Sequence, residues 1–218
     1  RINNFFSDSN GINMLRIDNL EIILKDKVLL AVEYFHLNAG EKAAVTGNND
    51  SGKTLFLKAI HGEYTNYKGS IFIKEKSNIF YKKRKQTIFI DQTPKVLDSE
   101  SIWKNITLPL PDLSSRMKQK IVQFCEVSGL SSELNLKAKE VSNSNLKMLE
   151  FIRAVIQLPY LILIDDFDAY FDPVKRKVAL EILDYAANNG SSLIVTSKQK
   201  IEECRLNYRI QKGKLVQI

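Results

Sequence analysis

Residues 47–54, Gly47-Asn48-Asn49-Asp50-Ser51-Gly52-Lys53-Thr54, fit the pattern G-x-x-x-x-G-K-[ST]. No other stretch limits the fold so strongly, because the pattern works only between a buried strand and a helix. Ala43-Ala44-Val45 supplies the strand, and residues 55–60, beginning at Leu55, continue as the helix. Glycine lets the backbone curl so that successive N–H groups face phosphate oxygens. The helix that follows places its positive end at the same point. Lys53 adds a mobile cation for the β- and γ-phosphates, and Thr54 adds a hydroxyl for Mg²⁺. The loop therefore reads as a binding site for a nucleoside triphosphate, built from Gly47, Asn48, Asn49, Asp50, Ser51, Gly52, Lys53, Thr54 and Leu55.

Its counterpart lies at Leu161-Ile162-Leu163-Ile164-Asp165-Asp166, four apolar residues ending in two carboxylates. Such a run reads as a buried strand whose exposed end is acidic. Asp165 is the candidate for the Mg²⁺ shell, and Asp166 stands where a water-activating base is wanted. Around these two motifs the pattern is α/β. Strand-like stretches fall at 12–17, 28–34, 42–46, 70–73, 87–90 and 192–196, with a short strand ending at Ile218. Between about 93 and 157 the pattern is helical, interrupted by Pro109 and Pro111. In one of these helices Ile121, Phe124 and Val127, beside Cys125, form a stripe expected to be buried. Asp172-Pro173 is a helix start and Asn189-Gly190 a stop. Residues 1–11 are polar and end in glycine, as a linker does, leaving 12–218 as the folded domain.

Composition excludes several classes. With 44% apolar and 26% charged residues in 218, the chain is neither disordered nor short of a core. No uncharged apolar window is long enough to span a bilayer. Two cysteines, Cys125 and Cys204, exclude a disulfide scaffold and are expected to be reduced. His36 and His61 are not at metal-ligand spacing. The net charge of +7 admits nucleic acid, an anionic surface or a nucleotide without choosing among them. The basic run Lys82-Lys83-Arg84-Lys85 reads as a solvated hairpin end rather than a recognition patch.

Taken together the motifs resemble the nucleotide-binding domain of an ATP-binding cassette (ABC) transporter. The resemblance implies a P-loop NTPase core, a RecA-like mixed sheet with flanking helices, joined by an antiparallel β region and an inserted helical subdomain at about 93–157. Gln92, in Phe89-Ile90-Asp91-Gln92, is similar to the family's glutamine loop, which contacts Mg²⁺ and water. Val141-Ser142-Asn143-Ser144-Asn145 holds the signature position, so Ser142 and Ser144 are implied contacts to a nucleotide. Ala169-Tyr170-Phe171-Asp172 resembles the loop that crosses the dimer interface. Such domains bind Mg²⁺ and ATP in head-to-tail dimers and work beneath a transmembrane domain at the cytoplasmic face of the membrane; no nucleic-acid partner is implied. A narrower resemblance, from residues 1–6 and 96–106 with Trp103 among them, is to exporters whose membrane helices lie on the same chain.

The chain departs from the family at several points. The usual Leu-Ser-Gly-Gly-Gln signature has Asn143 and Ser144 for its glycines, which are favoured where backbone must approach a ligand closely. Asp166 replaces the catalytic glutamate, one methylene shorter. Ser197 falls on the switch histidine, giving Gln92, Asp166 and Ser197 as the implied catalytic set. Leu24 falls where an aromatic ring would stack on adenine, and Asp50 replaces a loop glycine. The reading favoured is a slowly hydrolysing exporter ATPase. The alternatives are a regulatory module that binds ATP without turnover, and a soluble cassette acting on ribosomes or DNA.

Overall fold

The computed structural model describes residues 12–84, 86–110 and 112–218; residues 1–11, with the linker and the exporter-like 1–6 segment, lie outside them. Ten strands form one sheet in the order β5-β4-β1-β2-β10-β9-β3-β8-β7-β6. One half is parallel. β3 (Lys42–Thr46), β8 (Ser192–Ser197), β7 (Leu161–Ile164) and β6 (Thr87–Ile90) run side by side, in register at Thr46↔Ser197, Ile164↔Val195 and Ile90↔Ile164. Their carboxyl ends are therefore level, and in open α/β sheets that end is where ligands bind. The other half is antiparallel: β1 (Asn13–Leu24) pairs with β2 (Lys27–Asn38) and with β4 (Tyr67–Ile73), which pairs with β5 (Lys76–Ser77). β9 (Leu206–Gln211) lies parallel to β3, and β10 (Lys214–Gln217) meets β2 at one parallel pair, joining the halves.

Alternation along the central strands divides their side chains between two cores. Ala43, Val45, Leu161, Leu163 and Ile194 pack with β1, β2 and α1 (Lys53–His61). Ala44, Ile162, Ile164, Leu193 and Val195 face the other helices. These are α3 (Ile102–Thr107), α4 (Ser115–Val127), α5 (Asn143–Ile156) and α6 (Pro173–Asn188). The helical stretch between β6 and β7 shares that second cluster rather than holding a core of its own. None of the described helices is long and apolar enough to cross a membrane.

α6 begins and ends where the sequence places it: Asp172 Oδ1 accepts the N–H groups of Val174 and Lys175 at 3.0 and 2.9 Å, with Pro173 in the first turn. Three expectations need correction. Lys82 and Lys83 belong to a short helix, α2 (Asn78–Lys83), not to a hairpin end. Asn78 anchors it by donating to the carbonyl of Ala59 at 2.7 Å. Val127 is 52% exposed, because α4 ends there; Ile121, Phe124 and Cys125 are its buried residues. The chain's last part is a two-stranded hairpin, β9 and β10, rather than one short strand. Both thiols are free and buried; burial pushes Cys125 up to about 12 and Cys204 to about 11.

Candidate nucleotide-binding site

Residues 47–52 form the turn between the end of β3 and the start of α1. Gly52 has φ +100°, which an L side chain rarely adopts. A Cβ on Gly47 would stand 2.7 Å from Ser51 Oγ, so any side chain there would have to displace that hydroxyl. Asp50 takes the left-handed region too, at φ 60°, as Asp does more readily than most residues. Lys53 Nζ folds back over the loop and donates to the carbonyls of Gly47 and Asn48 at 2.7 and 2.8 Å. Burial lowers the Lys53 pKa, while the nearby Asp166 and Asp165 carboxylates oppose that shift. An ammonium held by two neutral carbonyls, with carboxylates close by, is free to exchange them for phosphate oxygens, which are the stronger acceptors.

Asp165 is 1% exposed. Its Oδ2 accepts the Thr54 hydroxyl at 2.7 Å, and its Oδ1 accepts the Thr196 hydroxyl at 2.7 Å. Thr196 Oγ1 in turn accepts the N–H of Asp166 at 2.8 Å. The ends of β7 and β8 and the first turn of α1 are thus tied through one carboxylate. Gln92 Nε2 lies 3.5 Å from the same Oδ2. Asp166 sits at φ 54°, ψ 52°, a sparsely populated backbone conformation that holds its carboxylate at the strand end.

These groups line a cavity of about 490 Å³, with Lys53, Thr54, Gln92, Asp165 and Asp166 at its polar end and Leu24, Leu29 and Leu55 among its walls. Gly47 and Asn48 face an adjoining cavity of about 720 Å³, which also contains Arg209 and Lys212. Among the described residues no cluster of His, Cys, Asp or Glu forms a metal site by itself. The donor set does fit Mg²⁺ beside a phosphate: a hydroxyl, a carboxylate and an amide are hard ligands that leave positions for phosphate oxygens and water. Ser51 Oγ, buried in the loop with no hydrogen-bond partner, is a further polar atom that bound phosphate could satisfy.

The structure separates the predicted residues. Gln92, Asp165 and Asp166 converge on the cavity. Ser197 does not: it is fully buried, its hydroxyl donating to the Asp168 carboxylate and accepting the Gln199 N–H at 3.0 Å. The structure thus does not bring Ser197 to the cavity with the others; Lys198, exposed beside it, lines both cavities. Sequence reasoning missed Lys198, whose only signal was its place one residue beyond the strand end. Ser142 and Ser144 lie at the start of α5, outside the cavity. Ser142 caps the helix by accepting from Asn145 N–H at 3.3 Å, and Ser144 Oγ accepts from Lys175 at 3.3 Å.

The geometry agrees with comparisons to known proteins. The ABC transporter family profile matches residues 32–169, more than half of the chain. Over 184 residues the chain is 30% identical to the ABC transporter ATP-binding protein YxdL of Bacillus subtilis (strain 168), covering 78% of this chain and 72% of that protein. It is 26% identical over 173 residues to the methionine import ATP-binding protein MetN of Clostridioides difficile (strain 630). That match covers 75% of this chain but 54% of MetN, so the chain spans about half of that relative's length. A solved structure of an ATP binding subunit of an ABC transporter shares the fold with a TM-score of 0.81 at 19% identity, covering 93% of this chain and 88% of that one.

Proposed function

The chain belongs to the ABC transporter family, and from that premise we propose that it is the ATP-binding domain of a transporter, binding and slowly hydrolysing Mg²⁺-ATP for a membrane-embedded partner. The observation that carries this reading is the 2.7 Å contact between Thr54 Oγ1 and Asp165 Oδ2, with Lys53 and Gln92 in the same cavity. Two residues distant in sequence are joined as a hydroxyl and a carboxylate that would hold Mg²⁺. Mg²⁺, when bound, neutralises phosphate charge. The chain's own residues do the rest. Lys53 leaves the loop carbonyls for the phosphates, the loop N–H groups cradle them, and Leu24 and Leu29 pack on the base without a π face. Asp166 accepts a proton from the attacking water, and Lys198 adds a second cation. Displacement of a fluorescent ATP analogue by ATP, tighter with Mg²⁺ than without, is the expected test result. No displacement by ATP would refute the reading.

The proposal includes a head-to-tail pair of such domains, in which Ser142 and Ser144 of one copy face the nucleotide of the other, beneath a membrane domain on the same or another chain at the cytoplasmic face. The exporter type suggested by residues 96–106 has no support from the relatives, since MetN is named for import. A second reading, a regulatory module that binds ATP without turnover, is favoured by one observation: Ser197 is locked onto Asp168, away from the cavity. Phosphate release in the intact transporter separates the two. Turnover that disappears in Asp166→Asn supports the ATPase, and none in the unsubstituted protein supports the regulatory module.

A further inference from the structure

Three charged side chains on one face of α5 make contacts that nucleotide binding by itself does not call for. Lys147 is fully buried and Glu150 is 4% exposed. Such pairs seldom stabilise a fold more than apolar side chains of the same volume would, so their contacts rather than their charge explain their placement. Lys147 Nζ donates to Glu150 Oε2 at 2.7 Å and to the carbonyl of Asp91 at 2.5 Å. Glu150 Oε1 accepts the backbone N–H of Lys95 at 2.7 Å. Arg153 Nη2 donates to the carbonyl of Lys95 at 2.5 Å and lies 3.4 Å from Glu150 Oε1. Spacing of three places all three side chains on one helix face.

Residues 91–95 are neither helix nor strand. Their backbone is held instead by side chains of α5, at Asp91 on one side and at Lys95 on the other, and Gln92 lies between these two points. The same ammonium reaches further. Lys147 Nζ stands 4.5 Å from the centroid of the Tyr170 ring, and Tyr170 Oη donates to the carbonyl of Asp165 at 3.2 Å. One buried cluster thus touches the backbone of the segment carrying Gln92 and, through Tyr170, the backbone of Asp165.

We propose that Lys147, Glu150 and Arg153 are positioning residues for the Mg²⁺ side of the site, fixing Gln92 against Asp165 and making both answer to the position of α5. The proposal rests on the reading of the cavity as a Mg²⁺-ATP site. Residues that orient metal ligands in this way typically change metal affinity by about 10–100-fold when lost. Because α5 begins at the signature segment, a shift of that helix would be felt at Gln92 without any contact between the signature and the cavity.

The test uses the whole chain and two variants. Lys147→Met with Glu150→Leu removes both buried charges together, so neither is left unpaired; Arg153→Gln cuts only the outer contact. ATP affinity is measured with and without Mg²⁺, and amide exchange is followed at Lys95. We expect the pair variant to keep its Mg²⁺-free ATP affinity, to lose about 10–100-fold of the gain that Mg²⁺ confers, and to exchange faster at Lys95. Arg153→Gln should show the same pattern in smaller degree. Faster exchange with an unchanged Mg²⁺ gain overturns the proposal, and so does an equal loss of ATP affinity with and without Mg²⁺, which marks a general structural role. If the pair variant does not fold, Arg153→Gln decides: an unchanged Mg²⁺ gain overturns the proposal. Absence of ATP binding by the unsubstituted chain would overturn the reading of the cavity itself.

Discussion

Replacing Asp165 by Asn separates what the carboxylate does for the fold from what it does for the ligand. The side chain accepts two hydroxyls, from Thr54 and Thr196, while 1% exposed. Hydrogen bonds to a charged group are worth about 1.5–3 kcal/mol and neutral ones about 0.5–1.5 kcal/mol. Two such bonds made neutral therefore cost about 2 kcal/mol. Against this stands the desolvation of a carboxylate in a nearly closed site, several kcal/mol by itself. Asn keeps one acceptor for Thr196, and the Thr54 hydroxyl can turn to accept from its amide N–H, so no polar atom is orphaned. The two effects oppose each other, so the melting temperature should not fall by more than a few degrees. With Mg²⁺-ATP the balance is different. A unit charge pair about 4 Å apart at an effective dielectric of about 20 is worth about 4 kcal/mol, or roughly three decades of affinity. Calorimetry should find Mg²⁺-free ATP binding kept and most of the Mg²⁺ gain lost, and nucleotide should no longer raise the melting temperature by its full amount. An Asn variant with the full Mg²⁺ gain, or one that fails to fold without ligand, would refute this reasoning.

Three further outcomes are expected. Lys198→Ala should weaken Mg²⁺-ATP binding by roughly fivefold, about 1 kcal/mol for an exposed ion pair, while Ser197→Ala should leave it unchanged; the reverse order in a titration would restore Ser197 to the site. Asp172→Ala removes the cap of α6 and should cost about 1 kcal/mol in urea unfolding, with no loss pointing to a cap carried by Pro173 alone. Burial holds His61 below its ordinary value of 6.5, so the unfolded state takes up the proton first as pH falls. Stability then declines as pH drops from 6.5 through the folded value; His61→Gln should flatten this part of the profile between about pH 5 and about pH 7, and parallel profiles would contradict it.

The phosphate loop, β3, β7 and both ends of α6 were legible in the sequence because each is set locally: a glycine at a forced turn, an unbroken apolar run, an Asp-Pro start. Asp165, Asp166 and Gln92 were legible through spacing and resemblance, and the fold brings them to one cavity. What was hidden depends on partners distant in sequence. α2 has six residues and is fixed by Asn78 reaching back to Ala59 and Ile60, which no periodicity reveals. Ser197 has the position of a catalytic group by resemblance, yet its hydroxyl is held by Asp168, 29 residues earlier in the chain, and Lys198 lines the cavity beside it. Lys147 and Glu150 look like the polar face of an amphipathic helix; only packing against residues 91–95 and Tyr170 shows that this face is interior.

The central claim is that residues 47–54 cradle the phosphates of ATP, and calorimetric titration of Mg²⁺-ATP into the unsubstituted chain and into Lys53→Ala tests it most directly. Lys53 Nζ donates to the carbonyls of Gly47 and Asn48 within the loop itself, so its loss removes the loop's own cation from the phosphates. A charge-assisted contact of about 1.5–3 kcal/mol predicts that Lys53→Ala binds ATP more than about tenfold more weakly. Equal affinity in the two proteins would contradict the account.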